Sequence, residues 1–299
     1  MKKRLILLML AVFVLAAVPV FAQDEAVQTV SDAVAAIQEL DSYTTHVEQT
    51  ISQVVSLGSG DTAMSTTNDV VQTVDLQIVR TDDGYNTAGV IDQTITANTA
   101  GQVQEVPLTI EIVLLDGVAF LRGSSESPLL ANAIPTEWTE VDDNVAASNP
   151  VLASFAPSAL KQFYGVNAAF DEDTIESITE LDSAEIDGQT MRVFEIEYSM
   201  DALLETGLLD GLTGNAQAGM SAEDLQALVE DILSSADAVF TAYVGEDDGL
   251  LHQLDSVLSV DTVMTFQGVS MPLQMTVTST TTFSGFNEPV EIEVPEVGT

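Results

Sequence analysis

Cysteine is absent from all 299 residues, so the chain has no disulfide, no thiolate metal site and no thiol for lipidation. Basic residues are scarce: seven Lys and Arg stand against 47 Asp and Glu. Three of the seven are Lys2, Lys3 and Arg4, so the chain beyond residue 22 sets four cations against 47 acids, a formal charge of −43. Such an excess repels phosphate backbones and anionic headgroups and excludes a nucleic-acid partner. Histidine is limited to His46 and His252, which leaves few bases for a nucleophilic triad. No Gly-x-Ser-x-Gly elbow occurs, and the glycine-rich stretch 211–219 lacks the lysine and spacing of a phosphate loop. Long apolar runs are absent except at the start.

That start reads as a targeting segment. Lys2, Lys3 and Arg4 precede an apolar run from Leu5 to Val18, and Val20-Phe21-Ala22 supplies a small-x-small-like cleavage site. Export with cleavage near Ala22 is expected, so that residues 1–22 are a signal peptide and 23–299 one domain. The alternative is an uncleaved N-terminal anchor, since residues 5–22 just reach bilayer length.

Beyond it the apolar fraction, 46%, is that of a packed globular protein. Val27, Val30, Val34, Ile37 and Leu40 recur at three- and four-residue steps behind Asp24 and Glu25, predicting an amphipathic helix over 24–40. The period then changes to two. Tyr43, Val47, Ile51 and Val55 share one parity against Thr44, His46, Glu48 and Thr50, and further strands are predicted over 70–78, 85–97, 106–115 and 118–121. Asp82-Asp83-Gly84 and Asp116-Gly117 supply turns. Trp138 falls in a short extended piece. Residues 123–157 read as a rim or lid and 158–164 as a short helix carrying Leu160 and Phe163. The second half repeats the pattern, with strands over 175–186, 191–199, 236–244 and 250–266, and helices near 200–209 and 222–233. Leu254, Leu258, Val260 and Met264 alternate with Asp255, Ser259 and Asp261. Met271, Leu273, Met275, Val277 and Phe283 alternate with Gln274, Thr276, Thr278, Thr280 and Thr282, so the last two strands form a hairpin with one apolar and one polar face.

Little of this is chemistry. His46 lies on a polar parity and is expected in solvent; His252 shares parity with Leu250 and Leu254 and is expected to be buried or at a rim with a hydrogen-bond partner. The acidic clusters Asp82-Asp83, Asp142-Asp143, Asp171-Glu172-Asp173 and Glu246-Asp247-Asp248 lack EF-hand spacing and read as solvated turns, with calcium as the alternative. No catalytic, metal or cofactor site is assigned. Nine methionines, three of them on the inner parity of the last hairpin, suit an adaptable interior, either a packed core or a pocket for an apolar ligand.

Several stretches carry a resemblance: the helix before Ser42-Tyr43, the Trp138-Thr-Glu-Val-Asp142 piece, Gly188-Gln-Thr-Met-Arg-Val-Phe-Glu-Ile-Glu-Tyr198, Tyr243-Val-Gly-Glu-Asp-Asp-Gly-Leu-Leu251 and, above all, Phe283-Ser-Gly-Phe-Asn-Glu-Pro-Val-Glu-Ile-Glu-Val-Pro295. Through them the chain resembles the bacterial envelope proteins of the LppX/LprG type, which are similar in fold to the lipoprotein carriers LolA and LolB. The resemblance implies an α+β fold: a strongly curved antiparallel sheet, an unclosed half-barrel, with helices covering its concave face around a hydrophobic cavity. It also implies binding or carriage of a lipid or lipidated molecule, without a cofactor. Members of that family are typically lipoproteins with a cysteine after the signal, whereas Ala22-Gln23 stands here, so no lipid anchor is expected.

The expectation is therefore an exported, acidic, monomeric, non-enzymatic carrier or binding protein for an apolar ligand. Parity and size select Leu114, Phe120, Phe163, Phe194, Phe240, Leu258, Met264, Met275 and Val277 as its cavity lining. The alternative is an envelope interaction or sensor module that uses the same sheet as a docking scaffold for envelope proteins.

Overall fold

The computed structural model describes residues 18–57, 64–82, 84–99, 102–127, 133–142, 145, 152, 155, 175–199, 234–266 and 269–297. Among the described residues helix α1 (Val18–Glu39) is followed by eleven strands: β1 (Ser42–Leu57), β2 (Met64–Thr81), β3 (Gly84–Thr99), β4 (Gln102–Leu115), β5 (Val118–Ser125), β6 (Thr139–Val141), β7 (Ile175–Ile186), β8 (Gln189–Tyr198), β9 (Ala236–Gly245), β10 (Leu251–Phe266) and β11 (Val269–Ser284). All eleven join one antiparallel sheet in the order β6-β5-β4-β3-β2-β1-β11-β10-β9-β8-β7. Each half of the chain is a meander, and β1 against β11 welds the halves together along twelve paired residues. A sheet this wide does not stay flat; it is strongly curved and open, its edges being β6 and β7.

Local chemistry fixes the hairpins. Asp116-Gly117 and Asp187-Gly188 carry φ of 50° and 80° and of 50° and 82°, the left-handed pair that a two-residue turn between right-twisted strands requires. The Phe283-to-Pro289 motif is likewise structural. Phe283 is buried against Tyr43, with ring centroids 6.4 Å apart. Gly285 and Asn287 then turn left-handed, and Asn287 ties the end of β11 to the start of β1: its backbone N–H donates to Ser42 O at 2.8 Å, and its Oδ1 accepts from the Asp41 N–H at 2.8 Å.

Register defines two faces. Tyr43, Ile78, Leu114, Phe194, Ala242 and Phe283 all fall on one, here called inner because α1 packs there. Ala26, Val30, Ala33, Val34 and Ile37 form the buried stripe of α1, and its two alanines let the helix approach the sheet closely. The helix begins at Val18, six residues before the expected start, so Asp24 and Glu25 are not in its first turn. Cleavage after Ala22 would leave this buried stripe intact.

Among the described residues α1 covers the part of the inner face formed by β7, β9 and β10, so helix coverage of the concave face is seen there and no further. The helices expected at 158–164, 200–209 and 222–233 lie outside the described residues. β10 does not alternate strictly, because a register shift between Leu251 and Gln253 turns both Leu251 and Leu254 inward.

Candidate functional site

The inner face holds three apolar clusters. The first lies under α1; the second gathers Leu108, Ile110, Ile112, Leu114, Ala119 and Leu121 beneath Ile134 and Leu152; the third is Ala236, Val260 and Leu273, with Val55, Leu258 and Met275 against it. Between them runs a band of the same face whose residues are neither exposed nor buried: Val47 and Ile51 on β1, Val70 on β2, Ile91 and Ile95 on β3, Leu254 on β10 and Val277 on β11. Apolar side chains left half-covered in mid-sheet are the natural seat for an apolar ligand.

Charge is sorted by face. On β1 to β6 and β9 to β11 every carboxylate has the outer parity: Glu48, Asp69, Asp75, Asp92, Glu105, Glu111, Glu140, Asp237, Asp255 and Asp261. An inner-face ion pair stands at the far edge, where Arg192 on β8 grips Glu180 on β7 at 2.8 Å and donates to Thr29 of α1 at 3.3 Å. This pairing holds the Glu180 carboxyl below its ordinary range and the guanidinium above its own. Arg122 pairs with Glu111 and stacks 4.8 Å from the Trp138 ring, and Arg80 reaches Asp41 at 3.3 Å.

The selected lining residues divide accordingly. Leu114, Phe194, Phe240, Leu258, Met275 and Val277 share the inner face; Met264 pairs with Met271, and its side chain lies outside the described residues. Leu114 and Phe194 are buried in clusters, and Phe240 packs edge-on to Tyr198 at 4.8 Å. Phe120 is on the opposite face: the two-residue turn sets it across from Val113, while Leu114 faces Ala119. Phe163 lies outside the described residues. Missed from the sequence were the half-covered Ile91 and Ile95, whose parity with Val47 and Ile51 depends on long-range register.

Among the described residues each histidine pairs with an aspartate. His252 is mostly covered, with Nε2 2.9 Å from Asp248 Oδ2 and its ring edge-on to Phe286 at 5.1 Å. His46 is on the outer face, its side chain 42% exposed, with Nδ1 2.6 Å from Asp75 Oδ1. The hydrogen bond to Asp75 raises its pKa above the ordinary 6.5, against a smaller desolvation effect. Because the folded value is the higher one, the stabilisation is complete below pH 6.5 and is lost as pH rises through the folded value; exposure keeps it small. An NMR titration is expected to place the His46 midpoint above 6.5 and Asp75→Asn to bring it down; no movement on that substitution would refute the pairing. Among the described residues no cluster of three or more potential metal ligands occurs, and no helix is long and apolar enough to cross a membrane.

No family model matches the sequence, and no curated protein matches it. Solved structures do. The fold is similar to that of the Mycobacterium tuberculosis lipoprotein LppX. That similarity covers 90% of this chain and 99% of LppX, with a TM-score of 0.40 and 11% identity. LprF from Mycobacterium bovis gives 0.38 and 13% over 92% of this chain and 98% of LprF. A putative outer membrane lipoprotein-sorting protein domain from Vibrio parahaemolyticus gives 0.23 and 8% over 90% of this chain and 94% of that domain.

Proposed function

We propose that the chain is an exported, non-enzymatic binding or carrier protein for a lipid or another apolar ligand, held on the inner face of the sheet. The observation that carries this reading is the half-covered apolar band through Val47, Ile51, Val70, Ile91, Ile95, Leu254 and Val277, in strands that send every carboxylate to the other face. Each methylene buried there would contribute about 0.8 kcal/mol, so an acyl chain needs no charged anchor. The resemblance to envelope carriers agrees with this reading.

Native mass spectrometry of the exported protein tests it. Adducts of lipid mass that organic extraction removes are the expected result. A single bare mass, no extractable lipid and no lipid taken up from donor vesicles would together sink the reading.

A second reading, a docking scaffold for envelope proteins, would use the outer face, where Val71, Val103, Val257 and Val263 are exposed. Val257 and Val71 sit in one transverse row but are separated by Thr278 and Thr50, so they form no continuous patch. The inner-face reading is preferred.

A further inference from the structure

A polar row crosses the inner face. Gln93 pairs with Gln72, Gln72 with Gln49, Gln49 with Ser279 and Ser279 with Ser256, so five adjacent strands each place an uncharged amide or hydroxyl on one transverse line about 19 Å long, from strand spacings of roughly 4.8 Å. The flanking rows, about 6.7 Å away on either side, are mainly apolar: Ile91, Val74 and Val47 on one, Ile95, Val70 and Ile51 on the other. Gln93 Nε2 donates to Gln72 Oε1 at 3.3 Å. Among the described residues, the side chains of Gln49, Ser256 and Ser279 make no hydrogen bond. All five residues are half-covered.

We infer that this row is the specificity element of the ligand face: it takes a ligand whose uncharged, carbonyl-bearing linkage lies between two apolar arms, and it discriminates against an unbroken hydrocarbon. This rests on the lipid-binding reading and deepens it. Glutamine amides and serine hydroxyls supply donors that match a carbonyl oxygen, and a hydrocarbon covering the row would strip those groups of water without replacing it. A charged linkage has no counterpart, because the strands of the row bring no ionised side chain to this face except Arg80, which is at the end of β2 and engages Asp41.

The test uses the full exported protein, stripped of lipid and offered a long-chain wax ester together with the alkane of equal carbon number. Bound lipids are quantified by gas chromatography after gel filtration. Wild type is expected to retain the ester about tenfold over the alkane, the value of one net hydrogen bond. Gln49→Leu/Gln72→Leu is expected to bring that preference close to even. Ser256→Ala/Ser279→Ala, which barely changes volume, should shift it in the same direction and keeps the test open if the leucine pair does not fold. Equal preference in wild type and in a folded variant, or preference for the alkane in wild type, overturns the inference while lipid binding stands. Retention of neither probe by any protein overturns the lipid-binding reading and this inference with it.

Discussion

Phe194→Ala is expected to lower the unfolding free energy by about 3–5 kcal/mol, a fall in melting temperature of roughly 6–20 °C for a chain of this size. The side chain is 0% exposed and is among the largest in the molecule to be fully buried. It sits on β8 between Ala242 of β9 and Glu180 of β7, in the cluster beneath α1, and the Arg192 guanidinium lies 5.0 Å from its ring. Its small neighbour Ala242 cannot grow to fill the space, so a cavity would remain, and the arginine would lose the ring face that helps to position it for Glu180 and Thr29. Urea denaturation decides between two roles for this residue. A loss of several kcal/mol identifies a keystone of the core. A loss below about 1 kcal/mol, with a change in the masses of bound lipid, would instead make Phe194 part of the ligand wall.

How much could be read beforehand depended on the distance over which each signal acts. Parity within one strand is local, so Leu258, Met275 and Val277 were readable as inward residues, and the Asp-Gly turns were readable because only a few residues tolerate both central positions at positive φ. Phe120 failed because its face depends on the turn before it: a two-residue loop pairs Leu115 with Val118 and so opposes Phe120 to Val113. The inward turn of Leu251 was not readable, because the bulge after it changes the parity of β10. The polar row was invisible for a different reason. Gln49, Gln72 and Gln93 each look like an isolated exception within an apolar alternation, and only the register of three hairpin strands shows that the exceptions coincide.

Gly89→Ala is the second substitution expected to be severe, at about 3 kcal/mol, the upper end of the usual cost of overpacking. Glycine inside a strand commonly marks a close approach of neighbouring atoms, and here a β-carbon at 89 would lie 2.0 Å from the Asp75 carbonyl oxygen and 2.6 Å from Leu76 Cδ2. The backbone φ is not in the left-handed region, so the penalty is one of space and not of conformation. What occupies the space matters to the fold: Leu76 packs against both the cluster under α1 and the cluster of β4 and β5, and the missing side chain at 89 lets it lean across the join. Alanine must therefore spread β2 from β3 at the carbonyl and also push Leu76 away, loosening that bridge. The double variant with Leu76→Ala separates the two. It removes the 2.6 Å contact but not the 2.0 Å one, so it should recover little and leave a chain less stable than Leu76→Ala alone. A Gly89→Ala unfolding free energy within about 1 kcal/mol of wild type, from urea denaturation, would show that the strands can part at little cost, and that the approach at Gly89 does not hold the two halves of the core together.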